Sequence, residues 1–225
     1  MEKNKVSAFY DEYIKNQIAQ SYNERHKYLY NSMLERGLKT DSNVLELGCG
    51  IGVITSLINK TVKKGKIVSV DISEDSINHS KKHNVSENIE LIVSDLALFE
   101  YKPQIFQYIV LFDILEHVPQ EHHESIFKKI YNHMDSKSKL IIHIPTKEII
   151  KYSEINCPEL MQIIDQPLCE SELINKAKNA GLRLEEFKYT NIWDNRDYEL
   201  FVFTLPFEFV PNPLATKKSF FSFKK

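Results

Sequence analysis

Glycine is scarce in this chain, at 6 of 225 residues. That rules out glycine-rich linkers and collagen-like repeats. Arginine is nearly as rare: Arg25, Arg36, Arg183 and Arg196 are the whole complement among 29 basic residues. Bidentate readout of phosphates or bases therefore has few candidates, and with a net charge of −2 a nucleic-acid partner is not expected. The cysteines number three, Cys49, Cys157 and Cys169, with no CxxC pair. This argues against a zinc ribbon or a disulfide scaffold and fits a reducing, cytoplasmic setting. No apolar run is long enough to span a bilayer, and the opening MEKNKVSAFYDEYIK has no signal-like apolar core. Internal repeats and low-complexity stretches are absent as well. What remains has the composition of an ordinary globular chain, long enough for one sizeable core.

Three of the few glycines stand together. Residues 44–52 read VLELGCGIG, an apolar run followed by Gly48, Gly50 and Gly52. Glycine at a strand-to-helix turn allows a sharp bend and lets a ligand lie against the backbone. The segments around it alternate. Strands are expected at 44–47, 66–71, 88–95, 106–113 and 139–145. Helices are expected from Val53 to about Lys60, over 73–83 with Ser73 as N-cap, over 122–134, and over 169–181 with Gly181 ending the last. Residues 7–36 have helical spacing in one or two helices, and residues 146–168 read as irregular. The last two strands, 182–190 and 198–205, form an antiparallel hairpin around the polar turn Asp194–Asp197.

This order predicts an α/β fold. It is a Rossmann-like, doubly wound, seven-stranded sheet, mostly parallel with an antiparallel last strand, plus N-terminal helices and a small cap. The division expected is an N-terminal helical lid over 1–40, a ligand-binding domain over 41–205 with 146–168 as a cap insertion, and a tail over 206–225. In such sheets ligands bind beyond the carboxyl ends of the strands. The strands there carry acids: Glu46 within the glycine motif, then Asp71, Asp95 and Asp113. Each alone can be a helix cap; four at one edge point to a nucleoside-type ligand. The spacing GxGxG, not GxGxxG, separates the loop from the dinucleotide pattern.

VLELGCGIG, VDIS, SDLALF, FDILEHVP and LIIHIP, in that order, resemble the class I S-adenosylmethionine-dependent methyltransferases, in particular a small-molecule branch with an EHVP-like turn after strand four. The resemblance spans roughly residues 40–205. It implies S-adenosylmethionine as cofactor and S-adenosylhomocysteine as product. It further implies Glu46, Gly48, Cys49, Gly50, Gly52, Asp71, Ile72, Asp95, Leu96 and Phe112 as the cofactor-binding set, with Asp71 on the ribose and Asp95 on the adenine. Cys49 reads as a packed small thiol.

The FDILEHVPQEHH stretch is the densest ionisable run after a strand. On a helical turn Asp113, Glu116 and His117 would share a face. His117 and Asp113 are the catalytic candidates, His117 as a general base. The same spacing can alternatively hold a divalent cation, with His143 as a further ligand; no metal is assigned. His122 and His123 read as solvated. Residues 7–36, with Tyr10, Tyr13, Tyr22, Tyr28 and Tyr30, and residues 146–168, with Tyr152, Met161, Gln162 and Asp165, are expected to cover the cofactor. Trp193 reads as a packing residue. The tail PNPLATKKSFFSFKK interleaves phenylalanine and lysine. The expected acceptor is a hydroxyl, amine or carboxyl group on a small molecule or a larger biosynthetic intermediate, and the expected state is monomer or homodimer. The alternatives are a metal-dependent RNA ribose methyltransferase and a non-catalytic nucleoside-binding Rossmann protein.

Overall fold

A computed structural model describes residues 3–20 and 22–208. The tail over 209–225, and the expectation attached to it, lie outside the described residues. Two helices come first, α1 (Lys3–Gln20) and α2 (Glu24–Glu35). Then follow β1 (Val44–Leu47), α3 (Val53–Thr61), β2 (Ile67–Asp71), α4 (Glu74–His83), β3 (Ile89–Val93) and β4 (Tyr108–Phe112). A single 3₁₀ turn, Leu115–His117, leads into α5 (Gln120–Tyr131), β5 (Lys139–Pro145) and α6 (Lys147–Asn156). Last come α7 (Glu170–Asn179), β6 (Arg183–Thr190) and β7 (Tyr198–Thr204).

The seven strands form one sheet in the order β3-β2-β1-β4-β5-β7-β6. Pairing from β3 through β5 is parallel, and β7 runs antiparallel to both β5 and β6. The sheet is doubly wound because β1 is apolar on both faces. Leu45 and Leu47 join one core cluster with Ile109, Leu111, Ile126 and Phe127. Val44 joins the other, with Leu29, Met33, Ile54, Leu57 and Ile58. The chain moves outward from β1 to β2 and β3, then returns to β4 on the other side of β1. That reversal opens a crevice at the carboxyl ends of β1 and β4.

Residues 146–168 depart from the irregular segment expected: they contain α6 and a 3₁₀ turn, Pro158–Leu160. Thr146 caps α6, its Oγ1 accepting from the Ile149 N–H at 3.4 Å. The helix escapes a periodicity reading because Ile150 is its single buried residue. Helix α5 starts two residues before the expected boundary, directly after Pro119. Ser73 caps α4 as expected, accepting from the Ser76 N–H at 3.1 Å. Gly181 ends α7 at φ +92°, with the Leu182 N–H bonded to the Ala177 carbonyl.

The three clustered glycines all have positive φ, but they answer to different neighbours. A Cβ on Gly48 would strike the Ile114 side chain, and one on Gly52 would strike Ser80 and Asn84 of the α4 region. A Cβ on Gly50 would meet only the Gln17 amide, at 2.8 Å. A flexible side-chain end can move aside; two buried groups on a packed helix cannot. Gly52→Ala is therefore expected to destabilise the chain by more than the roughly 1–2 kcal/mol of left-handed backbone strain alone. Gly50→Ala should lose about that strain and little more. Urea unfolding of the two variants measures the difference; equal midpoints would remove the packing role from Gly52.

Candidate active site

The crevice holds a cavity of about 400 Å³. Its floor is the strand ends and the turn after β1: Glu46 to Ile51, Asp71 and Ile72, Asp95 and Leu96, Phe112 and Asp113. Val53 and Ile54, at the start of α3, also line it. Its walls come from α1 (Val6, Tyr10, Tyr13, Gln17), α2 (Arg25, His26, Leu29), the turn holding Ile114 and His117, and Gln162 with Ile164 from the segment after α6. Of the cofactor candidates, Gly52 alone is missing from the lining. Its position is set by α4 packing, as described above.

Asp71 organises the floor. Its Oδ2 accepts from the Gly50 N–H at 2.7 Å and its Oδ1 from the Ser73 N–H at 2.9 Å. The loop is further fixed where the Gly48 and Cys49 N–H groups donate to the Val70 carbonyl, at 2.7 and 2.9 Å. Burial raises the Asp71 pKa, and the backbone N–H donors oppose that rise. Glu46 faces inward, with Oε2 accepting from Thr55 Oγ1 at 2.6 Å and Ser69 Oγ at 2.7 Å. Burial pushes its carboxyl up to about 7 despite these donors. Asp95 Oδ1 accepts from the Ala97 N–H at 2.9 Å and so shapes the turn after β3. The Cys49 thiol is buried and its pKa pushed well up, as an inert packed thiol requires.

The other half of the cavity differs from expectation. Asp113 does not share a helical face with Glu116 and His117, because it sits in left-handed backbone at φ +56°, outside the 3₁₀ turn. Its carboxylate turns to α2, where Oδ1 pairs with Arg25 Nη1 at 2.9 Å. Burial raises the Asp113 pKa, and the Arg25 and His117 charges oppose the rise. His117 points to the segment after α6: Nδ1 lies 2.8 Å from Asp165 Oδ1 and 2.7 Å from the Ile164 carbonyl. Its Nε2 is 3.8 Å from Glu116 Oε1. The Tyr10 ring stands 6.4 Å from the imidazole, and its buried hydroxyl has no partner among the described residues.

Among the described residues, no cluster of three or more His, Cys, Asp and Glu side chains could hold a metal ion. His143 is wholly buried, with Nε2 3.1 Å from Thr190 Oγ1 and its ring stacked on Tyr198. Burial, with help from the Arg25 charge, pushes its pKa down to about 3. His123 is also not solvated as expected. It is buried, and its Nε2 lies 3.0 and 2.9 Å from the carbonyls of Leu115 and Val118, clamping the turn. Trp193 is 58% exposed instead of packed, with the Arg25 guanidinium 5.8 Å over its ring. Arg25 is the main site residue that motif reading missed, since no local pattern announces it.

With this geometry in place, comparison with known proteins decides the family. A family model described as a methyltransferase domain matches residues 38–204. The chain belongs to that family. It is thus a class I S-adenosylmethionine-dependent methyltransferase. A curated relative, a carboxy-S-adenosyl-L-methionine synthase of Shewanella sediminis (strain HAW-EB3), is 24% identical over 178 residues, covering 68% of this chain and 72% of that protein. Three further curated methyltransferases are matched over only 25% to 47% of their length. Two solved structures share the fold. A methyltransferase of Haloferax volcanii, in complex with its Trm112 activator, has a TM-score of 0.71 at 14% identity, covering 88% of this chain and 98% of its own. The DhpI–S-adenosylhomocysteine complex has a TM-score of 0.66 at 15% identity, covering 90% and 96%. No helix among the described residues is long and apolar enough to cross a membrane.

The turn after β4 carries a pH signature. Burial alone would lower the His117 pKa, but the Glu116 and Asp165 carboxylates outweigh it and push it up to about 9. Burial likewise raises Glu116 above the ordinary carboxylate range. Both groups bind protons more tightly folded than unfolded, so their contribution favours folding at low pH and is lost as pH rises. For His117 the loss runs from about 6.5, its unfolded value, to about 9. Thermal stability is expected to fall across that window, and to fall less steeply in His117→Gln. A pH series of melting temperatures checks this; identical slopes would show that His117 is not held charged.

Proposed function

We propose that the chain transfers the S-adenosylmethionine methyl group to a hydroxyl, amine or carboxyl group of a small molecule or a group on a larger biosynthetic intermediate. The observation that carries this reading is the single cavity that joins a glycine loop and strand-end acids to a separate, ionisable wall. Its volume suits a small-molecule site, for which about 300–1,000 Å³ is usual.

The residues fit the cofactor. Gly48, Cys49 and Gly50 would give it close backbone approach. Asp71, already fixed by Gly50 and Ser73, would take the ribose hydroxyls with its remaining lone pairs. Ile72, Leu96 and Phe112 would flank the base, with Asp95 beside it. The N–H groups at the start of α3, near Val53 and Ile54, would suit a carboxylate. Bound there, the cofactor supplies an electrophilic methyl on a sulfonium.

The chain's own contribution is then orientation and exclusion of water. Tyr10 and Tyr13 of α1 cover the cavity from one side, and Gln162 and Ile164 from another. His117 is held as an imidazolium by Asp165, so at neutral pH it offers a hydrogen-bond donor to the acceptor. It becomes a proton acceptor only toward the alkaline end. Asp113 contributes by holding Arg25.

The test is binding by calorimetry. S-adenosylmethionine and S-adenosylhomocysteine should bind with roughly micromolar affinity, about −8 kcal/mol. Asp71→Ala should weaken both by about 1.5–3 kcal/mol, the range for hydrogen bonds to a charged group. Tight NAD binding with no affinity for either sulfur compound would sink the reading.

A further inference from the structure

Arg25 is held as though for a ligand. It lies in the first turn of α2 with its side chain 21% exposed, and it lines the cavity beside His26, Leu29, Phe112 and Asp113. Among the described lining residues it is the only arginine or lysine. Among the described residues its ion pair, with Asp113 Oδ1 at 2.9 Å, and its hydrogen bond, donated to Tyr198 OH at 3.2 Å, both use Nη1. Its buried Nε has no partner among the described residues. The Trp193 and Tyr198 rings, centred 5.8 and 5.9 Å from Cζ, restrict the plane of the group. A guanidinium presents two parallel N–H groups along its Nε–Nη2 edge, in the geometry that a carboxylate accepts bidentately. The edge that would make that contact is the edge left unused.

Charge balance points the same way. On this side of β1 the ionised groups are already paired: Asp113 with Arg25, and Asp165 with His117. Glu116 is buried and driven toward its neutral form. Asp71 and Asp95 belong to β2 and β3, across β1 from this wall, and Glu121 is exposed at the mouth. A sulfonium in the cavity would add a positive charge. A second cation beside it would add to that charge, whereas an anion would offset the sulfonium and have the unused Nε–Nη2 edge of Arg25 to pair with. Among the described residues Asp113 Oδ2 and Glu116 Oε2 also lack partners, and a cationic acceptor would have to use them.

We propose that Arg25 selects the methyl acceptor, binding a carboxylate on it through the Nε–Nη2 edge, so that the substrates are acids bearing a separate hydroxyl or amino group. This rests on the methyltransferase reading and narrows it. Arg25 is a specificity residue here, and Asp113 is the positioning residue that leaves the correct edge free.

The full chain is loaded with S-adenosylhomocysteine and titrated calorimetrically with 4-hydroxybenzoate, 3-hydroxybenzoate and 4-aminobenzoate. Each is paired with its methyl ester and with the benzylamine of the same ring. Methyl transfer from radiolabelled S-adenosylmethionine to the same compounds is measured alongside. The acids are expected to bind and react, with esters and amines weaker by about 10- to 100-fold. Arg25→Lys keeps the charge and loses the fork. It should raise the KM for the acids by a similar factor, erase the preference over esters, and leave product affinity unchanged. Esters or amines that match the acids, no binding by any acid, or an Arg25→Lys variant that keeps the preference would each overturn the proposal. The wild-type comparison stands even if that variant folds poorly. Failure of S-adenosylhomocysteine to bind at all would instead strike the underlying methyltransferase reading.

Discussion

The hydrogen bond from the Gly50 N–H to Asp71 ties the end of β2 to the turn after β1, and the shape of the cavity depends on it. Without it the middle of the loop would be free between its base, held by the two bonds to the Val70 carbonyl, and its far end, where Asn84 Nδ2 donates to the Gly52 carbonyl at 3.1 Å. The second Asp71 oxygen holds Ser73, and Ser73 caps α4. Helix α4 in turn supplies Ser80, against which Gly52 packs. One carboxylate therefore links the loop, the strand and the helix that backs the loop. Asp11 of α1 adds to the same corner, its Oδ1 accepting from Ser73 Oγ at 2.6 Å. The covering helix is thus hydrogen-bonded to Ser73, the residue that Asp71 holds through its N–H.

Much of this was legible because doubly buried strands advertise themselves. VLEL and FQYIVLFD are short apolar runs bounded by polar residues, and the sheet uses each as a parallel strand with both faces covered. The strand-to-helix placement of the glycines, Ser73 as a cap and Gly181 as a helix end are local signals, and each element boundary stands where it was expected. What failed was non-local or weakly patterned. Arg25 meets Tyr198 across 173 positions, and no window of sequence contains both. His123 looks like its neighbour His122 in sequence, yet one is buried between two carbonyls and the other is exposed. Helix α6 buries one residue, so it has no apolar stripe to find. Asp113 broke the i, i+3, i+4 argument by adopting positive φ, a conformation that aspartate tolerates better than most residues and that no spacing rule anticipates.

The positive φ at Asp113 has consequences for the chemistry of the wall. On a helical turn three ionisable groups would face one point, and a shared proton or a cation would be the natural means of balancing them. Turned away, Asp113 serves Arg25, and His117 is left to Asp165. Two ion pairs replace one cluster. Each is largely buried, where an unpaired charge would be costly, so pairing is a condition of their being there.

Those pairs also explain how one fold can keep its two ligands apart. The strand order reverses between β1 and β4. Groups on β2 and β3 therefore collect on one side of the crevice, and groups following β4 collect on the other. The first side is built from backbone: glycine turns, N–H donors and carboxylates committed to holding them. The second is built from side chains that reach in from α2 and the segment after α6, elements far apart in the chain. Backbone geometry tolerates little substitution, because all three glycines have positive φ and two of them lie against Ile114 and Ser80. Side chains such as Arg25 and His117 can be exchanged without moving a strand. The side built from committed backbone is the one that cannot vary, and the side built from side chains is the one that can.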